Sequence, residues 1–154
     1  MPSALGVSMS ALAKRRLEQD FPDLERRRPL VLLAEDETEM RGLIARTLRK
    51  EDCDILEARD GSQLVRALLT HVLVPREGRE PVDLIISDIR MPGANGLDAI
   101  AALRRQDAMT PVILITAFGD ADVHLEAYRL GAVMVLNKPF DMDDLRVVVR
   151  SLVG

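Results

Sequence analysis

Leu30–Ala34 is an unbroken apolar run, and the next three residues, Glu35, Asp36 and Glu37, are all acidic. A short, wholly apolar run is what a strand buried on both faces requires, and such strands belong to parallel sheets covered by helices on each side. The rest of the chain repeats the theme. Met40–Arg49 sets Met40, Leu43, Ile44, Thr47 and Leu48 on one helical stripe. Asp54–Ala58 reads as a second, weaker strand, Gly61–Val72 as a helix with Leu64, Val65, Leu68 and Leu69 inward, and Leu84–Ser87 as a third strand. Leu97–Arg105 predicts a helix, Pro111–Thr116 a strand, Asp120–Leu130 a helix and Val133–Leu136 a strand. Asp141–Val153 closes the series as a helix, and its Asp-Met-Asp-Asp start suits a helix N-terminus. Five strands alternating with five helices predict an α/β fold, a parallel sheet doubly wound by right-handed crossovers.

Composition narrows the function classes. The net charge is -4, which argues against a nucleic-acid surface, since that needs a concentrated positive field. Cys53 is the one cysteine, so no intrachain disulfide or cysteine metal cluster can form, and between a helix and a strand it reads as a packing residue. Lys14, Arg15 and Arg16 fall where a signal peptide needs an apolar run, and no stretch is apolar for long enough to span a bilayer. The expectation is a cytoplasmic protein. Residues 1–29 read as an N-terminal extension, partly helical or disordered, with Pro22 interrupting a loose apolar spacing and Pro29 ending it. Residues 30–154 read as the domain. Leu73–Pro81 reads as a surface loop at the amino ends of the strands.

In a doubly wound parallel sheet, ligands bind at the carboxyl ends of the strands. The residues that can meet there are those just after Ala34, Ser87, Thr116 and Leu136. Glu35, Asp36 and Glu37 follow the first strand and Asp88 follows the third, so the topology gathers carboxylates on one edge. Two unit negative charges ~4 Å apart repel by about 4 kcal/mol at an effective dielectric of 20. A proton or a cation must relieve that, and an oxygen-only site with few carboxylates has the profile of Mg²⁺. Lys138, directly after the fifth strand, places an ammonium on the same edge, and its bond to Pro139 is a candidate cis peptide. Thr116 ends the fourth strand with a hydroxyl able to donate to a phosphoryl oxygen.

The ordered set LVLLAEDE (Leu30–Glu37), SDIRMPGANG (Ser87–Gly96), ITAFG (Ile115–Gly119) and NKPF (Asn137–Phe140) resembles the receiver domain of two-component response regulators, from about Leu30 to the C-terminus. The resemblance implies a flavodoxin-like sheet with strand order 2-1-3-4-5. It implies that Asp88 is the phosphoacceptor, attacking a phosphohistidine on a sensor histidine kinase or a histidine phosphotransfer protein. Asp36 then matches the direct Mg²⁺ ligand, Glu35 its acidic neighbour, and the backbone carbonyl of Arg90 a third protein ligand beside Asp88. Thr116 and Lys138 match the groups that bind the phosphoryl oxygens. Such a protein is a signalling molecule that promotes its own phosphorylation and dephosphorylation. The face formed by residues 120–153 is its expected readout surface, for an unidentified protein target or for a homodimer. Pro92, Gly93 and Gly96 shape the loop behind Asp88. The chain stops just after the fifth helix, so it reads as a stand-alone receiver, with a piece of a longer regulator left open.

The sequence departs from the pattern in three respects. The acidic pair is Glu35-Asp36, where many relatives have two Asp. Val135 stands where many carry an aromatic residue that moves with Thr116, which implies an output surface coupled less strongly through this residue, or coupled differently. Arg90 and Phe118 flank the expected path of hydrolytic water, and their bulk is expected to slow loss of the phosphoryl group. Arg90 also stands where a haloacid-dehalogenase-like phosphatase needs an acid, and Glu-Asp-Glu after the first strand would repel the phosphate of a flavodoxin-like cofactor. His71 and His124 read as surface helix residues, away from the acidic edge.

Overall fold

The computed structural model describes residues 10–13, 28–73, 81–106, 109–117 and 121–154. Its sheet strands are β1 (Leu30–Ala34), β2 (Asp54–Ala58), β3 (Leu84–Asp88), β6 (Val112–Thr116) and β7 (Met134–Asn137). The helices are α1 (Thr38–Arg49), α2 (Gly61–Leu68), α3 (Gly96–Arg105), α4 (Ala121–Arg129) and α5 (Met142–Val153). Two-residue strands β4 (Arg90–Met91) and β5 (Ala94–Asn95) form a separate antiparallel ribbon. The five long strands are parallel in the order β2-β1-β3-β6-β7, which is the expected 2-1-3-4-5 once the ribbon is set aside.

Side-chain alternation along the strands divides the core between the two faces of the sheet. Leu32, Ala34, Ile85, Val112 and Leu114 face Leu64 and Leu68 of α2, Ile100 and Leu103 of α3, and Ala127 of α4. Val31, Leu33, Leu84, Ile86, Ile113 and Ile115 face Ile44 and Leu48 of α1 and Leu145 and Val149 of α5. Every residue of β3 and β6 is buried, whereas the edge strand β2 is mixed, as its weaker apolar pattern required. Cys53 is buried, and burial raises its thiol pKa.

Helix starts follow the polar residues before them. Asp60, Asn95 and Asp141 each accept a backbone N–H through the side chain, from Gln63, Leu97 and Asp143 respectively. The second helix departs from expectation at its end, where Leu69–Leu73 forms a π-helical turn. The wider turn brings both Val72 and Leu73 against the core cluster below α2. His71 lies in that turn, half-buried rather than on the surface, with its Nδ1 buried and without a hydrogen-bond partner among the described residues.

The segment behind Asp88, expected as a loop, is the ribbon β4–β5, turning at Pro92 and Gly93. Gly61 makes room for it. The Gly61 N–H donates to the Pro92 carbonyl at 2.7 Å, and a Cβ on Gly61 would lie 2.1 Å from the Ala94 nitrogen. Backbone cannot yield as a side chain can, so Gly61→Ala should lower stability by about 3 kcal/mol, read as a shifted urea midpoint with unchanged slope.

Residues 11–13 are helical; most of the N-terminal extension, residues 74–80 of the expected loop and Phe118 lie outside the described residues. Arg28 is docked on the domain, its guanidinium reaching the Cys53 carbonyl at 3.3 Å and Asp54 at 3.1 Å. No helix among the described residues is long and apolar enough to cross a membrane.

Candidate functional site

Strand register builds the site. Ala34 lies opposite Ser87, so Glu35 and Asp88, the next residue along each strand, emerge side by side. Asp88 in turn lies opposite Ile115 and Thr116 opposite Asn137, which brings Lys138 to the same edge. One carboxylate oxygen from each of Glu35, Asp36 and Asp88 lies within 4.8 Å of the others. Glu35 is completely buried and Asp88 nearly so, while Asp36 is exposed. Lys138 reaches both buried acids, with Nζ 2.8 Å from Glu35 Oε1 and 3.0 Å from Asp88 Oδ2. The Lys138–Pro139 peptide is cis, as expected from its place in a tight turn.

Three carboxylates gather beside one ammonium, and the imbalance shows at Glu35. Burial, with Asp88 adding to it, pushes the Glu35 carboxyl up to about 7 against the opposing pull of Lys138. Burial alone would lower the Lys138 pKa, but its bonds to Glu35 and Asp88 outweigh that and raise it. When ionised, Glu35 leaves Oε2 buried without a hydrogen-bond partner among the described residues. Such an atom needs a proton or a cation, and an all-oxygen donor set suits a hard divalent ion.

This has a measurable consequence without metal. Between about pH 4.5 and 7 the folded chain holds a proton on Glu35 that the unfolded chain releases. Stability should therefore fall as pH rises across that window, by about 3 kcal/mol in EDTA. Glu35→Gln should flatten this part of the pH–stability curve.

Of the remaining expected residues, Thr116 is buried at the end of β6, and its carbonyl accepts the Lys138 N–H at 2.8 Å. Arg90 is exposed and opens β4, two residues beyond Asp88. Gly96 is needed where α3 starts, because a Cβ there would lie 2.7 Å from the Asp88 carbonyl oxygen. Two contributors escaped sequence reasoning. Arg41 of α1 donates to the Glu35 carbonyl at 2.9 Å and pairs with Glu57 of β2 at 3.5 Å, holding the acidic turn in place. The Ser87 hydroxyl donates to the Asp88 carbonyl at 2.8 Å. An arginine in the first helix after an acidic run was the available signal for Arg41; Ser87 had none. His124 lies closer to the edge than expected, 2.9 Å from the Asn137 side chain, next to Lys138.

A family model described as the response regulator receiver domain matches residues 31–150. The chain belongs to that family. As a receiver domain, it is part of the two-component class of signalling proteins. Response regulator protein PilR of Pseudomonas aeruginosa is 35% identical over 124 residues, covering 80% of this chain and 26% of PilR. This receiver domain therefore spans about a quarter of that relative's length. The solved receiver domain of Francisella response regulator 1452 superposes with a TM-score of 0.71 at 28% identity, over 80% of this chain and 95% of that one. Response regulator TrrA of Thermotoga maritima, solved in complex with Mg²⁺-BeF, gives 0.66 at 27% identity, over 80% and 98%.

Proposed function

We propose that this receiver domain is a phosphoacceptor in a phosphorelay, in which Asp88 takes a phosphoryl group in a Mg²⁺-dependent step. The donor is a phosphohistidine on a sensor histidine kinase or a histidine phosphotransfer protein. The observation that carries this reading is the Lys138 ammonium bound to both Glu35 and Asp88, beside an ionisable oxygen of Glu35 that has no other partner among the described residues. Glu35, Asp36, Asp88 and the backbone carbonyl of Arg90 would hold the metal, all through oxygen. When bound, the ion neutralises charge on the phosphoryl oxygens.

The chain's own residues supply the rest. An Asp88 carboxylate oxygen forms the new bond to phosphorus while the phosphorus–nitrogen bond breaks, and the imidazole nitrogen leaves with the bonding pair. Lys138, already paired with Asp88, stays beside it to pair with the phosphoryl oxygens, and the Thr116 hydroxyl donates to another. The near-complete burial of Asp88 limits water around the acyl phosphate and strengthens these charge interactions. Arg90, exposed beside the site, screens it further and slows hydrolysis. Occupancy of Asp88 then shifts the population of conformations on the face around α4, β7 and α5, which controls a protein partner, including a second copy of the chain. A cytoplasmic location goes with this reading.

Incubation with acetyl phosphate tests it. With Mg²⁺, intact mass should rise by one phosphoryl group, and EDTA should prevent the rise. An unchanged mass with Mg²⁺, under conditions that label a known receiver, would mean an interaction module that is not phosphorylated.

A further inference from the structure

Of the five helices α1–α5, α4 is the one least anchored by apolar packing among the described residues. It buries only Ala127 fully, with Val123 half-buried beside it, whereas α1 buries Ile44, Ala45 and Leu48. Leu125 and Tyr128 of α4 are exposed. With so small an apolar anchor, polar contacts decide where this helix sits.

Two of them form a pattern. The Val135 N–H donates to the Tyr128 hydroxyl at 3.2 Å, and the His124 ring nitrogen Nε2 lies 2.9 Å from the Asn137 side-chain oxygen. His124 and Tyr128 are four residues apart, on one stripe of α4. Val135 and Asn137 are two apart on β7, an edge strand of the sheet. Helix and strand therefore meet at two matched points, and the upper one is the residue directly before Lys138. At the far end, Arg104 donates to the carbonyls of Leu130 and Gly131, at 3.3 and 3.2 Å, and holds the C-terminal turn.

We infer that His124 and Tyr128 form a two-point latch that seats α4 on the edge of β7, and that a change at Lys138 opens it through Asn137. Val135 contributes its backbone N–H, so the aromatic group of this contact comes from the helix and not from the strand. Arg104 makes the C-terminal turn the pivot. Coupling of the latch to Asp88 rests on the phosphoacceptor reading, but its existence in the unphosphorylated chain does not.

Hydrogen exchange read by mass spectrometry separates the two. In the unphosphorylated chain, Tyr128→Phe and His124→Ala should each speed exchange of α4 amides about fivefold, with α1 and β3 unchanged, as loss of one hydrogen bond predicts. Unchanged α4 exchange in either variant, or a uniform rise across all elements, overturns the latch. With acetyl phosphate and Mg²⁺, the wild type should show the same rise in α4, and the double variant no further rise. A full further rise in the double variant overturns the coupling. Absence of a mass increment in that arm is failure of the phosphoacceptor reading alone, and the unphosphorylated arm still decides the latch.

Discussion

Asp88→Asn should abolish phosphoryl uptake while leaving the domain folded. The amide has nearly the shape of the carboxylate but lacks an anionic oxygen that can attack phosphorus, so no adduct should accumulate from acetyl phosphate. Stability should not suffer. Asp88 helps to hold the Glu35 carboxyl near 7, so removing its charge should let Glu35 ionise at lower pH and pair better with Lys138. In EDTA at about pH 8 the variant should be more stable than the wild type by about 1 kcal/mol. Urea unfolding with the mass assay separates lost chemistry from lost structure. A variant that is unfolded, or that still takes up phosphate at the wild-type rate, contradicts this account.

Lys138→Met carries the second large effect. The ammonium pairs with two buried carboxylates, and its side chain is only 18% exposed, so solvent offers little compensation. Breaking a buried pair leaves uncompensated charge, though Glu35 can take a proton and limit the loss to about 2 kcal/mol at pH 8. Phosphoryl uptake should fall by about 10²-fold or more, the size of effect seen when one preorganised donor to a developing anion is removed. Lys138→Arg should not restore the rate, because the planar fork cannot occupy the place of a compact ammonium. The time course of the mass increment measures both.

What the sequence made legible, and what it did not, divides along physical lines. Apolar runs such as Leu30–Ala34 and Val112–Thr116 announce buried strands, and the doubly wound topology then brings Glu35, Asp88, Thr116 and Lys138 to one edge. Those positions depend on backbone order, which local patterns encode. The ribbon β4–β5 was not legible, since two-residue strands carry no periodicity and depend on Gly61, distant in sequence. The π-helical turn at Leu69–Leu73 shares its local pattern with an α-helix, and only packing of Val72 and Leu73 distinguishes the two. The contrast between buried Glu35 and exposed Asp36 was equally hidden, because it follows from how the chain leaves β1 and from Arg41 gripping the Glu35 carbonyl.

Reductive trapping identifies the residue that carries the phosphoryl group. Borohydride converts an aspartyl phosphate to homoserine, which tandem mass spectrometry can place in the sequence. After acetyl phosphate and Mg²⁺, homoserine should be found at position 88 and nowhere else. Homoserine at another acid, or an adduct that borohydride does not convert, would contradict the account.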